Sequence, residues 1–213
     1  MDNIIKQAYK YSKNIFKQSA GSHDWDHVER VYNLAVHIAK KEKANMSVVQ
    51  LAALLHDIGR AEDIVSGGKV DHALVGAKMA ADYLTKKGVS LEIIESVMHC
   101  IKAHRSQTGV TPQSLEAKIL FDADKLDCIG AIGIGRTFVF AGEIGARVHN
   151  PEINLEKTKP YTVEDTGYRE YLIKLQYIHK KIFTTEGKRI AKQRHKFMVD
   201  FFARINREVA GEL

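Results

Sequence analysis

The sequence has little cysteine, little proline and no long apolar run. Its 213 residues include two cysteines, Cys100 and Cys128. They do not form a CxxC pair, so we expect neither a disulfide framework nor a thiolate metal site. No apolar stretch approaches the roughly 20 residues of a membrane span. The N-terminal residues also lack the apolar core of a signal peptide. We therefore expect a cytoplasmic protein that has no membrane partner.

Several catalytic motifs are also missing from the sequence. His27 is followed by Val28, Glu29 and Arg30 rather than by the residues of an HExxH motif, which argues against a zincin protease. The glycines between positions 130 and 145 follow a predicted helix and form no GxGxxG or P-loop pattern, so they favour close helix packing. The net charge of +6 is compatible with solubility alone, with anionic small molecules or with nucleic acid.

Helical periodicity dominates the chain, and strand-like alternation is scarce. We predict an all-α fold, a single-domain helical bundle spanning residues 1–213. Helices are predicted at about 3–17 and about 168–209, the latter with a break near Thr184. Further helices are predicted to begin at Asp24, Asp71, Ser90 and Thr111-Pro112, and another is predicted to end at His56. The stretches Arg60–Val70 and 145–168 are predicted to be loops.

The segment Val48–Leu55 is almost wholly apolar and is followed directly by His56 and Asp57. A helix that is apolar all round lies inside a protein, where an unpartnered carboxylate is costly. A divalent cation is one candidate partner, because imidazole and carboxylate suit Zn, Mn, Fe or Co. Adjacent helical side chains diverge by ~100°, so one ion would have to lie beyond the helix end. The alternative is a His56–Asp57 hydrogen bond that closes the helix.

Further candidate ligands are found at two other places in the chain. His27 is in the first turn of its predicted helix, whereas His23 is expected to have a structural role. On one helix Asp122 and Asp124 point ~200° apart, so they are not expected to share an ion. We expect Asp122 to be solvated or bonded to the backbone. Asp127 shares a face with Asp124.

This ordered set of residues resembles the HD-domain superfamily of metal-dependent phosphohydrolases. The similar stretches are DHVERV (26–31), LLHDIG (54–59), DADKLD (122–127), TEGKRIA (185–191) and RHKFM (194–198), within roughly residues 20–205. The resemblance implies one divalent ion, which could be Mn, Mg, Co, Ni, Fe or Zn. Its implied ligands are His27, His56, Asp57 and Asp124. Asp127 would then orient a ligand or bond Lys125.

The resemblance also implies catalytic residues beside the metal ion. His72 and His104 are at predicted helix ends, where this family often places phosphate contacts or second-metal ligands. Arg60 stands where some nucleotidases of the superfamily have Glu. Glu62 or Asp63 could replace that acid, or the acid could come from elsewhere. The catalytic candidates are Asp57, His72, His104, Glu62 and Asp63.

Candidate phosphate-binding residues are Lys125, Lys188 and Arg194. The basic C-terminal stretch is otherwise expected to be a solvated helix face, and its aromatic spacing favours helix core over nucleic-acid binding. By resemblance we expect a divalent-metal-dependent phosphohydrolase acting on small phosphorylated molecules, namely nucleotides, and releasing pyrophosphate from nucleoside triphosphates. The alternatives are a 5'-nucleotidase, a phosphodiesterase for cyclic or signalling nucleotides, and a catalytically weak metal-containing sensor of nucleotides or nucleic acid.

Overall fold

The computed structural model describes residues 1–18, 24–67, 69–105 and 108–213, and within these ranges it is helical and contains no β-strand. The predicted all-α fold is confirmed. His23, whose role was predicted to be structural, lies outside the described residues. Among the residues described, no helix combines the length and apolarity that a membrane crossing requires.

The helices form two compact units. The α-helices are α1 (Asp2–Ile15), α2 (Trp25–Glu42), α3 (Met46–Leu55), α4 (Arg60–Val65), α5 (His72–Lys86), α6 (Leu91–Ala103), α7 (Leu115–Leu126), α8 (Gly130–Glu143), α9 (Gly167–Ile173) and α10 (Thr185–Val209). Two 3-10 helices span Phe16–Gln18 and Leu175–Lys181. The first unit contains Met1–Asp124 and Phe183–Glu186, and the second contains Lys125–Ile182 and Gly187–Leu213. The expected single domain over residues 1–213 stays a prediction.

Helix α3 is the central helix of the first unit. It packs against α1, α2, α5 and α6. Val48, Val49 and the segment 51–55 are buried, as expected for a helix that is apolar all round. Asn45 caps the helix, because its side chain accepts a hydrogen bond from the backbone N–H of Val48. His56, Asp57 and Ile58, which follow the end of α3 at Leu55, are also buried.

The turn after α3 lies directly against the first part of α5. A Cβ atom on Gly59 would be 2.5 Å from the carbonyl oxygen of His72 and 2.6 Å from the backbone nitrogen of Gly76. Only a glycine allows the two backbones to approach this closely. The contact brings the beginnings of α4 and α5 beside the end of α3.

Two local predictions were wrong. Arg60–Val70 was predicted as a loop, but α4 occupies its first six residues, where Ile64 and Val65 are exposed and give no apolar face to read. This short helix is stabilised by packing against α5, a contact that sequence periodicity does not reveal. Gly68, in the same stretch, lies outside the described residues.

Thr111-Pro112 was predicted to begin a helix, but α7 begins at Leu115, where Ser114 Oγ accepts from the N–H of Ala117 at 3.1 Å.

The predicted break in the C-terminal helical region is confirmed, and hydrogen bonds to Asp122 fix the backbone at this break. The carboxylate of Asp122 accepts from the backbone N–H groups of Phe183 and Thr184 at 2.9 and 2.7 Å, and from the Thr184 hydroxyl at 2.7 Å. Asp122 is therefore bonded to the backbone, one of its two expected states. These bonds hold Phe183 and Thr184 in the first unit just before α10 begins.

The second unit combines an aromatic core with a long irregular segment. Tyr171 stacks on Phe202 with ring centroids 4.4 Å apart, and both side chains are buried. The loop predicted at 145–168 is irregular up to Thr166. Buried Arg169 orders it by donating to Asp165 Oδ1 at 2.7 Å and to Thr158 Oγ1 at 2.8 Å.

We expect Gly59→Ala to destabilise the protein by about 2–3 kcal/mol, because the new methyl group must displace backbone atoms of α5. Gly135→Ala is the matched control. Gly135 lies within α8 and has open space where a Cβ would be placed, so this change should stabilise the protein by about 1 kcal/mol. Chemical denaturation of both variants measures the difference. Equal stabilities would contradict the close-approach role of Gly59.

Candidate metal centre

Two groups of side chains in the first unit have the composition and spacing of metal ligands. One group is His27, His56 and Asp124, and the other is Asp57, His72 and His104. Within each group the ligand atoms lie within 4.8 Å of one another. All of these side chains are buried except Asp124, which is half-buried. The chain therefore brings together all four predicted metal ligands and both predicted catalytic histidines.

Helix ends position most of these residues. Asp24 caps α2 by accepting from the backbone N–H of His27 at 3.1 Å, which fixes the first turn that carries this histidine. His56 and Asp57 directly follow α3. His72 is the first residue of α5, capped by Asp71. Short polar residues at these ends satisfy backbone N–H groups, so the apolar helices can end inside the unit.

The carboxylate of Asp57, a member of the second group, lies between the histidines of the two groups. Its Oδ2 atom is 3.7 Å from Nε2 of His27 and 3.7 Å from Nε2 of His56. Its Oδ1 atom is 3.3 Å from Nε2 of His72 and 3.6 Å from Nε2 of His104. One carboxylate therefore presents one oxygen to each group.

The other ring nitrogen of three histidines faces an acceptor. Nδ1 of His56 lies 2.8 Å from the carbonyl oxygen of Ala53, and Nδ1 of His104 lies 2.5 Å from that of Ile101. Nδ1 of His72 lies 2.8 Å from Asp63 Oδ2. We assign the proton of the His56 ring to Nδ1, because the carbonyl oxygen of Ala53 can only accept it, and this leaves the Nε2 lone pair of His56 available. This tautomer is the one that binds a metal ion through Nε2.

The charge states suit the same role. Burial lowers the pKa of His56 to about 4, so its ring is neutral near pH 7. Burial alone raises the pKa of Asp57, but the His56 ring and the Arg60 guanidinium outweigh it, and the pKa lies well below the usual carboxyl value. Nε2 of His56 is buried and has no hydrogen-bond partner within the described residues. A divalent ion would supply that partner, so the donor set fits such an ion.

Arg60 makes contacts that the sequence did not reveal. Its Nε and a terminal nitrogen each lie 2.9 Å from Asp57 Oδ2. Arg105 lies nearby, with a terminal nitrogen 3.2 Å from His72 Nδ1 and 3.5 Å from Asp63 Oδ2. Periodicity gives no signal for such contacts, since they depend on how α4, α5 and the end of α6 pack.

The other predicted site residues have varied environments. Asp63 supports His72, whereas Glu62 is exposed on α4. Lys125, Lys188 and Arg194 belong to the second unit, where Arg194 donates to the carbonyl oxygen of Leu126 at 2.6 Å. Their predicted phosphate contacts stay predictions.

Asp127 and His99 also have defined contacts. Asp127 accepts a hydrogen bond from Arg136 at 2.9 Å. His99 accepts at Nε2 from the backbone N–H of Gln113 at 3.1 Å.

Comparison with known proteins identifies the family. Residues 24–129 match the HD domain model. YpgQ of Bacillus subtilis is 31% identical over 97% of this chain and 96% of its own length. The crystal structure of YpgQ in complex with ADP superposes with a TM-score of 0.73 at 29% identity, covering 96% of this chain and 94% of the other. The chain belongs to the HD-domain family, whose members bind divalent metal ions.

Two further similarities widen the family context. A crystal structure of an HD-superfamily hydrolase from Bacillus thuringiensis gives a TM-score of 0.76 at 28% identity, covering 98% of both chains. Ribonuclease Y of Borreliella burgdorferi is 32% identical over 52% of this chain but only 20% of its own length. These similarities support a hydrolase.

We expect Asp57→Ala to lower metal affinity more than about 100-fold. Loss of a direct ligand should weaken binding more than loss of a residue that only hydrogen-bonds a ligand, which lowers metal affinity roughly 10–100-fold. Asp82→Ala, which removes a carboxylate on α5 away from both ligand groups, should bind metal like the wild type. Elemental analysis after dialysis gives occupancy, and circular dichroism verifies folding. Full occupancy in folded Asp57→Ala would show that Asp57 is not a ligand.

Proposed function

We propose that this protein is a divalent-metal-dependent phosphohydrolase that acts on nucleotides and releases pyrophosphate from nucleoside triphosphates. The observation that carries the proposal is the buried Asp57 carboxylate, which faces the ligand group of His27 and His56 on one side and His72 and His104 on the other. The ADP bound by the related YpgQ supports a nucleotide substrate.

The first group together with Asp57 would supply the metal site. His27, His56, Asp57 and Asp124 would hold the ion, and two carboxylates would balance its charge. When bound, a divalent ion acts as a Lewis acid that activates water and polarises a phosphoryl oxygen. The carbonyl oxygen of Ala53 holds His56 in the required orientation, because it accepts the Nδ1–H of the ring.

His72 is the proposed proton-transfer residue. Its Nε2 atom faces Asp57, while Asp63 accepts the hydrogen bond of Nδ1–H. This arrangement orients the ring so that Nε2 donates a proton to the leaving oxygen. His104 lies beside it, with ring centroids 5.6 Å apart, and contacts the same phosphoryl group. Both residues thereby serve the substrate rather than the first ion.

Positive charge beside His72 favours a polyphosphate substrate over a monophosphate. The side chains of Arg60 and Arg105 are 21% and 30% exposed, so neither is fully buried. A longer phosphate chain carries more negative charge and gains more from such neighbours.

Three other functions remain as alternatives. A nucleotidase or a phosphodiesterase for cyclic or signalling nucleotides would use the same ion and histidines. A sensor would bind nucleotide or nucleic acid with little turnover, and the partial similarity to ribonuclease Y bears on the nucleic-acid form. Product analysis separates all of these functions.

We expect His72→Ala to retain the metal ion and to lower kcat about 100-fold, within the usual contribution of a general acid. Asp63→Asn should lower kcat about 10-fold, because it loosens the ring without removing it. His37→Ala is the control, since His37 is on the exposed face of α2 and pairs with Glu186. Steady-state kinetics with metal analysis tests all three. Wild-type kinetics in His72→Ala would assign this residue a structural role.

Hydrolysis of nucleoside triphosphates in H₂¹⁸O should yield nucleoside monophosphate and pyrophosphate, because cleavage is proposed between the first and second phosphates. Mass spectrometry of both products identifies the phosphorus that is attacked. Asp57→Ala protein, purified in parallel, should show background turnover only. Release of inorganic phosphate from monophosphates, with triphosphates left intact, would replace this proposal with the nucleotidase alternative.

A further inference from the structure

The excess positive charge of the chain is concentrated in one short segment. Residues 175–199 contain seven lysine and arginine residues and a single acidic residue, Glu186. The segment therefore carries a formal charge of +6, which equals the net charge of the whole chain. The rest of the sequence has equal numbers of acidic and basic side chains. Solubility requires no such concentration, whereas recognition of an anionic partner does.

Two helices carry these basic residues, and in the second unit they meet at a pair of histidines. His179 lies on the 3-10 helix Leu175–Lys181, and His195 lies on α10. Their rings stack with centroids 3.8 Å apart. Burial, the His179 ring and Lys180 each lower the pKa of His195, so Lys180 also lies close to α10. The two helices therefore contribute to one basic surface, formed by Lys180, Lys181, Arg189, Lys192 and Lys196.

A groove on α10 belongs to this basic surface. It has a volume of about 670 Å³ and is lined by Arg189, Lys192, Gln193, His195, Lys196 and Val199. No acidic residue is among these lining side chains. Arg189, Lys192 and Lys196 are three and four residues apart, so they share one face of the helix. Sites for small molecules commonly measure roughly 300–1,000 Å³, so the groove has room for one nucleotide unit of a longer strand.

Most of the charge on this surface is available to a partner. Lys180, Lys181 and Lys192 are exposed and form no ion pair within the part of the chain that the structure describes. Lys196 lies 2.6 Å from a carboxylate oxygen of Asp200, but the two side chains are 76% and 60% exposed. An exposed pair of this kind contributes little stability, so Lys196 can exchange Asp200 for a phosphate.

Two exposed aromatic rings border the basic surface. The expectation that aromatic residues here form helix core holds for buried Phe202, but Tyr177 and Phe197 are 45% and 52% exposed. Nζ of Lys180 lies 5.6 Å from the centroid of the Tyr177 ring. Phe197 is four residues from Gln193 and therefore lies beside the groove. Exposed rings among cations are typical of sites for single-stranded nucleic acid, in which bases stack on the rings.

We propose that the basic surface binds single-stranded nucleic acid. Lys180, Lys192 and Lys196 contact phosphates, while Tyr177 and Phe197 stack on bases. The apolar face of α10 is buried in the protein, which disfavours insertion into a lipid surface. None of these five residues is a candidate metal ligand or catalytic residue, so the inference does not depend on the proposed nucleotide hydrolysis.

Fluorescence anisotropy tests the proposal. The probes are fluorescein-labelled strands of about 12 nucleotides, as RNA and as DNA, together with the DNA duplex of the same sequence. We expect metal-loaded wild-type protein to bind the single strands with a Kd of roughly 1–100 µM at about 0.1 M salt, and to bind the duplex more weakly. The logarithm of the binding constant should fall with that of the salt concentration with a slope of about −2, which corresponds to about three phosphate contacts. The tighter of RNA and DNA identifies the natural strand.

Side-chain variants separate phosphate contacts from base stacking. Lys180→Gln combined with Lys192→Gln should weaken binding at least tenfold and make the salt slope shallower by about 1.4, because two phosphate contacts are lost. Phe197→Ala should weaken binding at least fivefold and leave the slope unchanged, because it removes stacking alone. Lys40→Gln combined with Lys86→Gln is the matched control. It removes two exposed charges from the first unit and should bind like the wild type.

Asp57→Ala protein distinguishes this surface from the metal centre. It should bind the single strand like the wild type, and loss of binding in the folded variant would assign the strand to the metal centre instead. Circular dichroism verifies the folding of every variant. Because binding is measured without turnover, an inactive protein that binds the strand would refute the phosphohydrolase function alone.

Four further results would overturn the proposal. They are tighter binding of the duplex, an equal loss of affinity in the control with two substituted lysines, wild-type affinity in Phe197→Ala, and binding to anionic phosphatidylglycerol vesicles without binding to the strand. The last result would make the basic surface a membrane contact.

Discussion

The buried carboxylate of Asp57 has to be balanced by positive charge or by donors, because an isolated charge in the core is strongly unfavourable. Its position follows from α3, which is apolar on every face and ends just before His56. The surrounding groups then divide by the two carboxylate oxygens. His27 and His56 face Oδ2, while His72 and His104 face Oδ1. The charge on one side chain thus explains why so many basic groups meet at this point.

Helix ends supply nearly all of these groups. His27 is in the first turn of α2, His56 and His104 directly follow α3 and α6, and Arg60 and His72 begin α4 and α5. Helix ends combine a fixed backbone with side chains that need not join the apolar packing of a helix face. Chemistry placed there leaves the helices free to be apolar. The short connections between these helices therefore position the side chains of the centre.

Much of this arrangement could be predicted from the sequence, and the remainder has a physical cause. The burial of α3 follows from its composition, and the order of His27, His56, Asp57 and Asp124 indicates the family. Arg60 could not be placed, because α4 has no apolar face and its position depends on a backbone contact made by Gly59. Contacts between distant segments leave no periodic signal.

Arg194 illustrates the same limit in the second unit. The stem of Arg194 lies where a Cβ on Gly130 would be only 2.9–3.3 Å away, and its guanidinium donates a hydrogen bond to the carbonyl of Leu126. These contacts join distant segments, so sequence spacing does not indicate them.

The histidine tautomers differ in how they respond to mutation. Main-chain carbonyls of Ala53 and Ile101 fix the rings of His56 and His104, so substituting a neighbouring side chain leaves those acceptors in place. The ring of His72 depends instead on the side chain of Asp63. A substitution at position 63 can therefore change the orientation of the His72 ring, while the rings of His56 and His104 keep their acceptors.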